Sequence, residues 1–441
     1  MKHHDIDQEL SQELGRQLAS FVGPLLILLD EKLDKRLVGT FLRTLQAIVE
    51  LRHNRYGLLL SELGGYILNP RQAPAGTKRL SNLLRSDKWQ HWLVSRFLWQ
   101  RANGYVQQLV QQGKTALLVW DESVIEKAES IALAGLGPVR SSKAARLKRI
   151  KPGYFNPPGG RPIFVPGMQW FSLMVVGMKG APVVATMRWW TNRGKFARRR
   201  RPTAAGLLRR CATAWGQQVI HVWDRGYASS PWLKEAFRFK VRFIVRWKKK
   251  QHLVDAQGKR NAWKITRGKR SQDHRYIWDN RRRCWRKTGL IYRPVRHPHY
   301  DIPLWLIVAR PGKGRTPWYL LTNEPITSLD QAWQIVFAYA RRWQVEMTFR
   351  FTKTELAMES PRLWSWHNRL KLMLMVTLVY AFLLSLLHSS LDFLRHLLLR
   401  HWCHRTGKRY RDLSVPLYRL RSALSRLWLA HPYPLSWDFS G

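Results

Sequence analysis

Residues 115–121 read TALLVWD, a short apolar run that ends on Asp121. A run of this length after a turn signal is typical of a buried β-strand. The pattern returns at residues 218–224, QVIHVWD, where Asp224 follows the apolar residues. The sequence therefore predicts two buried strands, each of which ends on an aspartate.

The segments between these strands complete an alternating pattern. Residues 168–177 and 182–190 are apolar runs joined by MKGA, which predicts an antiparallel hairpin. A helix is expected over residues 204–215. Residues 135–166 are rich in Gly, Pro, Lys and Arg and predict a long basic loop. The order of strand, hairpin, helix and strand favours a mixed α/β (α+β) core.

The flanking regions have a different character. Residues 1–112 predict helices, with Ser86 as the N-cap of a helix that extends to residue 112. Such a region could bind DNA or support the core, and the pattern alone leaves both open. Residues 239–322 are β-like and predict one inserted β domain.

Four functional side chains share one predicted helix. A capping box at Ser328 starts a helix that is expected to continue to about residue 356. In an uninterrupted helix, Tyr339, Arg342, Glu346 and Lys353 would lie within an arc of roughly 60°. Glu346 could then bind a divalent metal ion, while the basic side chains hold neighbouring phosphates.

Composition indicates a polyanionic partner. The 441 residues include 76 Lys and Arg against 28 acidic residues, a formal net charge of +48, together with 23 Trp. Guanidinium groups hold phosphates and aromatic rings stack on bases, so nucleic acid is the favoured partner over a membrane surface or an acidic protein. The three cysteines form no paired motif and the N-terminus is polar, which favours a cytoplasmic location.

One segment approaches the length of a membrane span. Residues 370–387 read LKLMLMVTLVYAFLLSLL, interrupted by Lys371. A membrane-associated basic protein is therefore an alternative hypothesis. The favoured interpretation is a buried helix, because the long core helices of large soluble proteins are also apolar on all sides.

The acids carry the chemical hypothesis. Phosphodiester cleavage needs a deprotonated nucleophile and a stabilised leaving oxygen, and two divalent ions held by carboxylates can supply both. In a ribonuclease-H-like core, Asp121, Asp224 and Glu346 would converge. Taken singly, an aspartate that ends a strand is most often a turn or cap residue, and Glu346 could be a surface ion-pair partner.

Together these motifs resemble the bacterial insertion-sequence DDE transposases of the cut-and-paste type, whose third acid lies in a Y-x2-R-x3-E-x6-K signature. Every position of that signature is present, from Tyr339 to Lys353. The segments VWD at Asp121 and VWDRGY at Asp224 also follow the family pattern. The segment TPWYLLTNEP, residues 316–325, resembles the one whose tryptophan, here Trp318, stacks on a flipped base in related enzymes.

The resemblance implies a transposase with a ribonuclease-H-like mixed-sheet core and a catalytic triad of Asp121, Asp224 and Glu346. These acids would bind two Mg²⁺ or Mn²⁺ ions, and Tyr339, Arg342, Lys353 and Trp318 would contact DNA. It further implies a homodimer on double-stranded terminal repeats and target DNA, in the bacterial cytoplasm at the nucleoid. The alternative is a catalytically inactive DNA-binding descendant.

The expected domain boundaries follow from these segments. They are a helical N-terminal DNA-binding region (1–112), the first part of the core (113–238), the inserted β domain (239–322), the second part of the core with the signature helix (323–365) and a helical C-terminal region (366–441).

Overall fold

The computed structural model describes residues 2–51, 57–127, 133–141, 164–279, 284–312, 314–404 and 416–433. Most of the predicted basic loop, residues 142–163, lies outside this set. Within the described residues one twelve-stranded mixed sheet is flanked by helices.

The strands in chain order are β1 (Ala116–Glu126), β2 (Gly137–Arg140), β3 (Phe164–Val176), β4 (Val183–Trp190), β5 (Val219–Trp223), β6 (Arg242–Arg246), β7 (His252–Asp255), β8 (Gly258–Asn261), β9 (Asp273–Asp279), β10 (Cys284–His297), β11 (Tyr300–Arg310) and β12 (Trp318–Thr322). The helices are α1 (Lys2–Asp30), α2 (Lys35–Glu50), α3 (Leu60–Ile67), α4 (Ala73–Arg85), α5 (His91–Gln111), α6 (Arg200–Trp215), α7 (Ser230–Arg238), α8 (Ala262–Thr266), α9 (Leu329–Ala340), α10 (Trp343–Thr354), α11 (Trp366–Ser385), α12 (Asp392–Trp402) and α13 (Leu417–Ala430).

The central strands have ribonuclease-H-like order. Strand β3 pairs antiparallel with both β1 and β4, whereas β5 is parallel to β1 and β6 is parallel to β5. The resulting order is β4-β3-β1-β5-β6. This arrangement confirms the predicted α/β fold class and the predicted hairpin.

The sheet separates two hydrophobic cores. Successive side chains of a strand point to opposite faces, and in β1 Leu117 and Val119 enter one core while Leu118 and Trp120 enter the other. Both faces are covered, which explains why this strand is continuously apolar rather than alternating.

The predicted inserted region continues the same sheet. Strand β6, which lies within residues 239–322, is the fifth core strand, and β12 pairs antiparallel with it. Strands β11 and β10 follow in order, and β9 pairs with β10 at the far end. The division into domains remains a prediction.

The apolar segment forms α11, which is buried. It is long and apolar enough to cross a membrane by length and composition, but 89% of its most apolar window is buried inside the protein. Helices α2, α4, α5 and α13 pack around it. Lys371 points into this core. It donates to the backbone oxygen of Leu84, in the last turn of α4, at 3.1 Å and to that of Ser86, the C-cap of α4, at 2.6 Å.

Three local predictions were wrong. Ser86 ends α4 rather than starting the next helix, and Gln90 is the N-cap of α5. The predicted basic loop has strand residues at both ends, in β2 and β3, because these two segments pair with each other. The single helix predicted after Ser328 is two helices, α9 and α10, which meet at Arg341 and Arg342.

Candidate active site

The parallel ladder places Asp121 beside Asp224. The last pair between β1 and β5 is Trp120 with Trp223, so the next residue on each strand is an aspartate at the carboxyl edge. Asp224 lies just beyond β5, as predicted. Asp121 does not end its strand, because β1 continues to Glu126 against β3 after its parallel pairing stops.

Helix α10 brings Glu346 to the same edge. The helix packs against β1 and β3, and Glu346 lies in its first turn. An acidic side chain there is favoured by the helix dipole. Arg342, the N-cap residue, donates from Nη1 to Asp121 Oδ2 at 3.0 Å and from Nη2 to Glu346 Oε1. One guanidinium therefore links two of the three predicted acids.

The electrostatics show that the three acids are close enough to interact. Burial raises the pKa of Asp121 to about 7; Arg342 and the backbone N–H of Glu122 oppose this rise, and the charges of Asp224 and Glu346 add to it. Burial alone would lower the pKa of Arg342, but Tyr339, Asp121 and Glu346 raise it above its usual value. The arrangement is a partly buried acidic cluster with one permanent cation.

The chemistry of these side chains fits a hard divalent ion, because Mg²⁺ and Mn²⁺ prefer carboxylate oxygens. Across the ranges that the structure describes, no group of three or more His, Cys, Asp or Glu side chains could hold a metal ion as the side chains stand. Arg342 instead provides the positive charge. The ligand type therefore fits such an ion, whereas a completed coordination shell is not formed.

Lys353 lies further along β1. Its ammonium donates to the backbone oxygen of Val124 and lies 3.7 Å from Glu359 Oε1. Arg342 contacts Asp121, Glu346 and the Tyr339 ring, whereas Lys353 lies two helical turns beyond Glu346. Its assignment to phosphate binding stays a prediction.

Trp318 and Tyr339 line a cavity next to Glu346. Their ring centroids are 5.2 Å apart in an edge-to-face arrangement, and Arg342 Cζ lies 5.8 Å from the centroid of the Tyr339 ring. The cavity has a volume of about 460 Å³ and is also lined by Arg246, Trp278, Arg286, Arg315 and Trp343. It is aromatic and basic, and it reaches from α10 to the ribbon formed by β9 and β10.

Sequence reasoning missed a second network beside the aspartates. Glu122 accepts two hydrogen bonds from Arg200, one from Nε at 2.7 Å, and Arg200 Cζ lies 5.3 Å from the centroid of the Tyr227 ring. Burial and the charge of Glu122 raise the pKa of Tyr227 well above its usual value. The available signals were the adjacency of Glu122 to Asp121 and the tyrosine of the VWDRGY segment, but only folding brings Arg200 to them.

Two comparisons with known proteins found a similarity to transposases. A synaptic complex of the piggyBac transposase with hairpin DNA, solved by cryo-electron microscopy, resembles the chain with a TM-score of 0.40 and 13% sequence identity, covering 91% of this chain and 74% of that one. Residues 200–382 match the family model described as the transposase DDE domain. The matched region contains Asp224, Trp318 and the signature from Tyr339 to Lys353, whereas Asp121 precedes it. The chain thus contains a region similar to the transposase DDE domain, joined in one sheet to the strand that carries Asp121.

Proposed function

We propose that this chain is a DDE transposase that cuts DNA at transposon ends and transfers the freed strands into target DNA. The observation that carries the proposal is the linkage of Asp121 and Glu346 through Arg342, beside Asp224 at the end of the parallel ladder. The match of residues 200–382 to the transposase DDE domain supports the same reaction class.

Asp121, Asp224 and Glu346 would hold two Mg²⁺ or Mn²⁺ ions. When bound, such ions generate a nucleophilic hydroxide and stabilise the leaving oxygen. The chain's own groups orient the substrate: Arg342 would hold a phosphate beside the acids, and Lys353 a phosphate further along the same strand.

The proposed partner is double-stranded DNA, both the terminal repeats and the target. A net charge of +48 favours sequence-independent phosphate contacts, and the N-terminal helices would add contacts to the repeats. Trp318, with Tyr339 packed edge to face against it, would receive a base displaced from the duplex, because aromatic stacking can offset part of the cost of extrusion. We further propose a homodimer on DNA, acting at the nucleoid in the bacterial cytoplasm.

The proposal is tested by incubating DNA that carries the element's own terminal repeats with the protein and Mg²⁺ or Mn²⁺. Breaks at the ends should be abolished by Asp121→Asn, Asp224→Asn and Glu346→Gln. Glu355→Gln is the matched control, because Glu355 is the C-cap residue of the helix that carries Glu346, and the two side chains are 31% and 36% exposed.

Two other outcomes would reject parts of the proposal. Specific binding without breaks in either metal would favour a catalytically inactive DNA-binding descendant. Breaks that survive all three substitutions would mean that the reaction occurs elsewhere in the chain.

A further inference from the structure

The ribbon formed by β9 and β10 exposes an aromatic face. Tyr276, Trp278 and Trp285 are 64%, 43% and 65% exposed, although large aromatic side chains are usually buried. The Trp278 and Trp285 rings contact each other edge to face, with centroids 5.6 Å apart. This pair is therefore held in a fixed arrangement at the surface.

The strand register places these rings on one side. Trp278 is directly opposite Trp285, and Tyr276 is directly opposite Lys287. Opposed residues of an antiparallel pair share a face, and so do residues two apart on one strand. We call Tyr276, Trp278, Trp285 and Lys287 the ribbon face.

The opposite side of the ribbon has the partly buried residues. Ile277 and Arg286 are opposed there, and both line the cavity next to Glu346. The ribbon therefore packs with its less aromatic side inward and leaves its rings outside. Burial within this chain does not explain that choice, and an exposed apolar patch on a folded surface marks an interaction site.

Charge selects the class of partner. Lys287 and His274 lie on the same side as the three rings, and within the described part of both strands that side has no acidic residue. Rings combined with cations suit unpaired nucleic-acid bases, since every base presents a face for stacking and every nucleotide carries a phosphate. A hydrophobic protein partner would use the rings but would gain little from the cations.

The ribbon face is also continuous with the proposed active site. Trp278 belongs both to the ribbon face and to the wall of the cavity that Glu346 and Trp318 line. The ribbon face therefore begins at the edge of that cavity.

We propose that the ribbon face binds unpaired bases of a DNA strand outside the active-site cavity, by stacking on Tyr276, Trp278 and Trp285. This site adjoins the pocket at Trp318 and shares only Trp278 with it, and it rests on the proposed function for the identity of the nucleic acid. Because stacking does not read base edges, the site holds single strands with little sequence preference.

The test measures equilibrium binding of a fluorescein-labelled oligothymidine and of a duplex of equal length, at one fixed salt concentration. Replacing both Tyr276→Ala and Trp285→Ala should lower the affinity for oligothymidine by about tenfold or more, since two stacked bases are lost. Duplex affinity should change much less. Trp285→Phe keeps a ring and should retain most of the affinity.

Trp364→Ala is the matched control, because Trp364 is 66% exposed and lies beside residues of α3 and α4 rather than on the ribbon. A second readout is photocrosslinking of an oligonucleotide that contains 5-iodouracil, which should label a peptide with Trp278 or Trp285. This readout does not depend on how well a variant folds.

Several results would overturn the inference. One is an oligothymidine affinity of the double variant equal to that of Trp364→Ala, with no crosslink on the ribbon. Another is a double variant that binds oligothymidine as tightly as the native protein but sediments with a lower molecular mass. That result would assign the ribbon face to contact between two copies of the chain. Cleavage of duplex ends by the native protein reports separately on the proposed function; failure to bind any DNA would remove both proposals.

Discussion

Arg342 Nη1 donates to Asp121 Oδ2 at 3.0 Å, across 221 residues of chain. This contact joins the helix that carries Glu346 to the strand that carries Asp121. Because the Asp121 carboxyl is buried, a partner of opposite charge there is worth more than one at the surface.

Removing that partner should destabilise the protein. Arg342→Ala is expected to lower the free energy of unfolding by about 2 kcal/mol, since a charged hydrogen-bond acceptor is left unsatisfied. Asp121→Asn should lower the free energy of unfolding less in the Arg342→Ala background than in the native chain. Urea unfolding of the four proteins in this cycle measures the coupling. Arg350→Ala, an exposed change on α10, is the control; additive effects of Arg342 and Asp121 would contradict a direct interaction.

Glu122 and Arg200 should position Asp121 without touching the substrate. Arg200→Ala is expected to reduce end cleavage by about tenfold, the usual effect of losing an outer partner at such sites. The loss should be partly recovered at higher Mn²⁺ concentration, which a general folding defect would not show. Arg201→Ala, its exposed neighbour, serves as the control, and an equal loss in both variants would argue against a positioning role.

Trp318 should matter most where a base must leave the duplex. Trp318→Ala is expected to weaken cleavage of intact ends by about fivefold or more, because one stacking contact is lost. On DNA that lacks the displaced base, the native and variant proteins should act alike. Trp318→Phe should retain most activity. If the ratio of native to variant cleavage is the same on both substrates, Trp318 supports only the fold.

Stability should rise with pH because of Lys127. Its ammonium donates to the backbone oxygens of Glu359 and Pro361, and burial, with the charge of Arg369, lowers its pKa to about 7 from 10.5. Between these values the unfolded chain binds more protons than the folded one, so the free energy of unfolding increases with pH. Urea unfolding should show a steeper rise over this range than for Lys127→Met. Exposed Lys78→Met should keep the native slope; parallel curves for all three would refute the shift.

Affinity for duplex DNA should fall steeply with salt. Six or more phosphate contacts would reduce it by about a thousandfold between roughly 50 and 200 mM salt. Fluorescence anisotropy with a duplex of arbitrary sequence measures the slope. A flat response would exclude phosphate contacts as the main source of binding.

Local sequence patterns predicted the core elements correctly. Apolar runs identified β1 and β5, the MKGA turn identified the β3–β4 hairpin, and Ser328 started α9, where its Oγ accepts from the Gln331 N–H at 3.2 Å. These features depend on neighbours in the chain, such as a cap, a turn or an alternation of side chains. They are therefore visible without the fold.

Features that depend on distant segments were not predictable in the same way. Strand β1 passes Asp121 because β3 continues to pair with it. The helical run after Ser328 is divided into α9 and α10 at Arg341 and Arg342. The sheet extends beyond the five core strands because β12 pairs antiparallel with β6, the last of them.

The sequence by itself determined the fold class and the strongly positive net charge, and it proposed the acids at residues 121, 224 and 346, because periodicity, residue type and charge are properties of the chain. Only the tertiary structure decided that Arg342 joins Asp121 to Glu346, that Arg200 holds Glu122, and that the ribbon face exposes its rings. Each of these contacts depends on which distant segments pack together on the two faces of the sheet. That packing involves the whole chain and is not set by any local pattern.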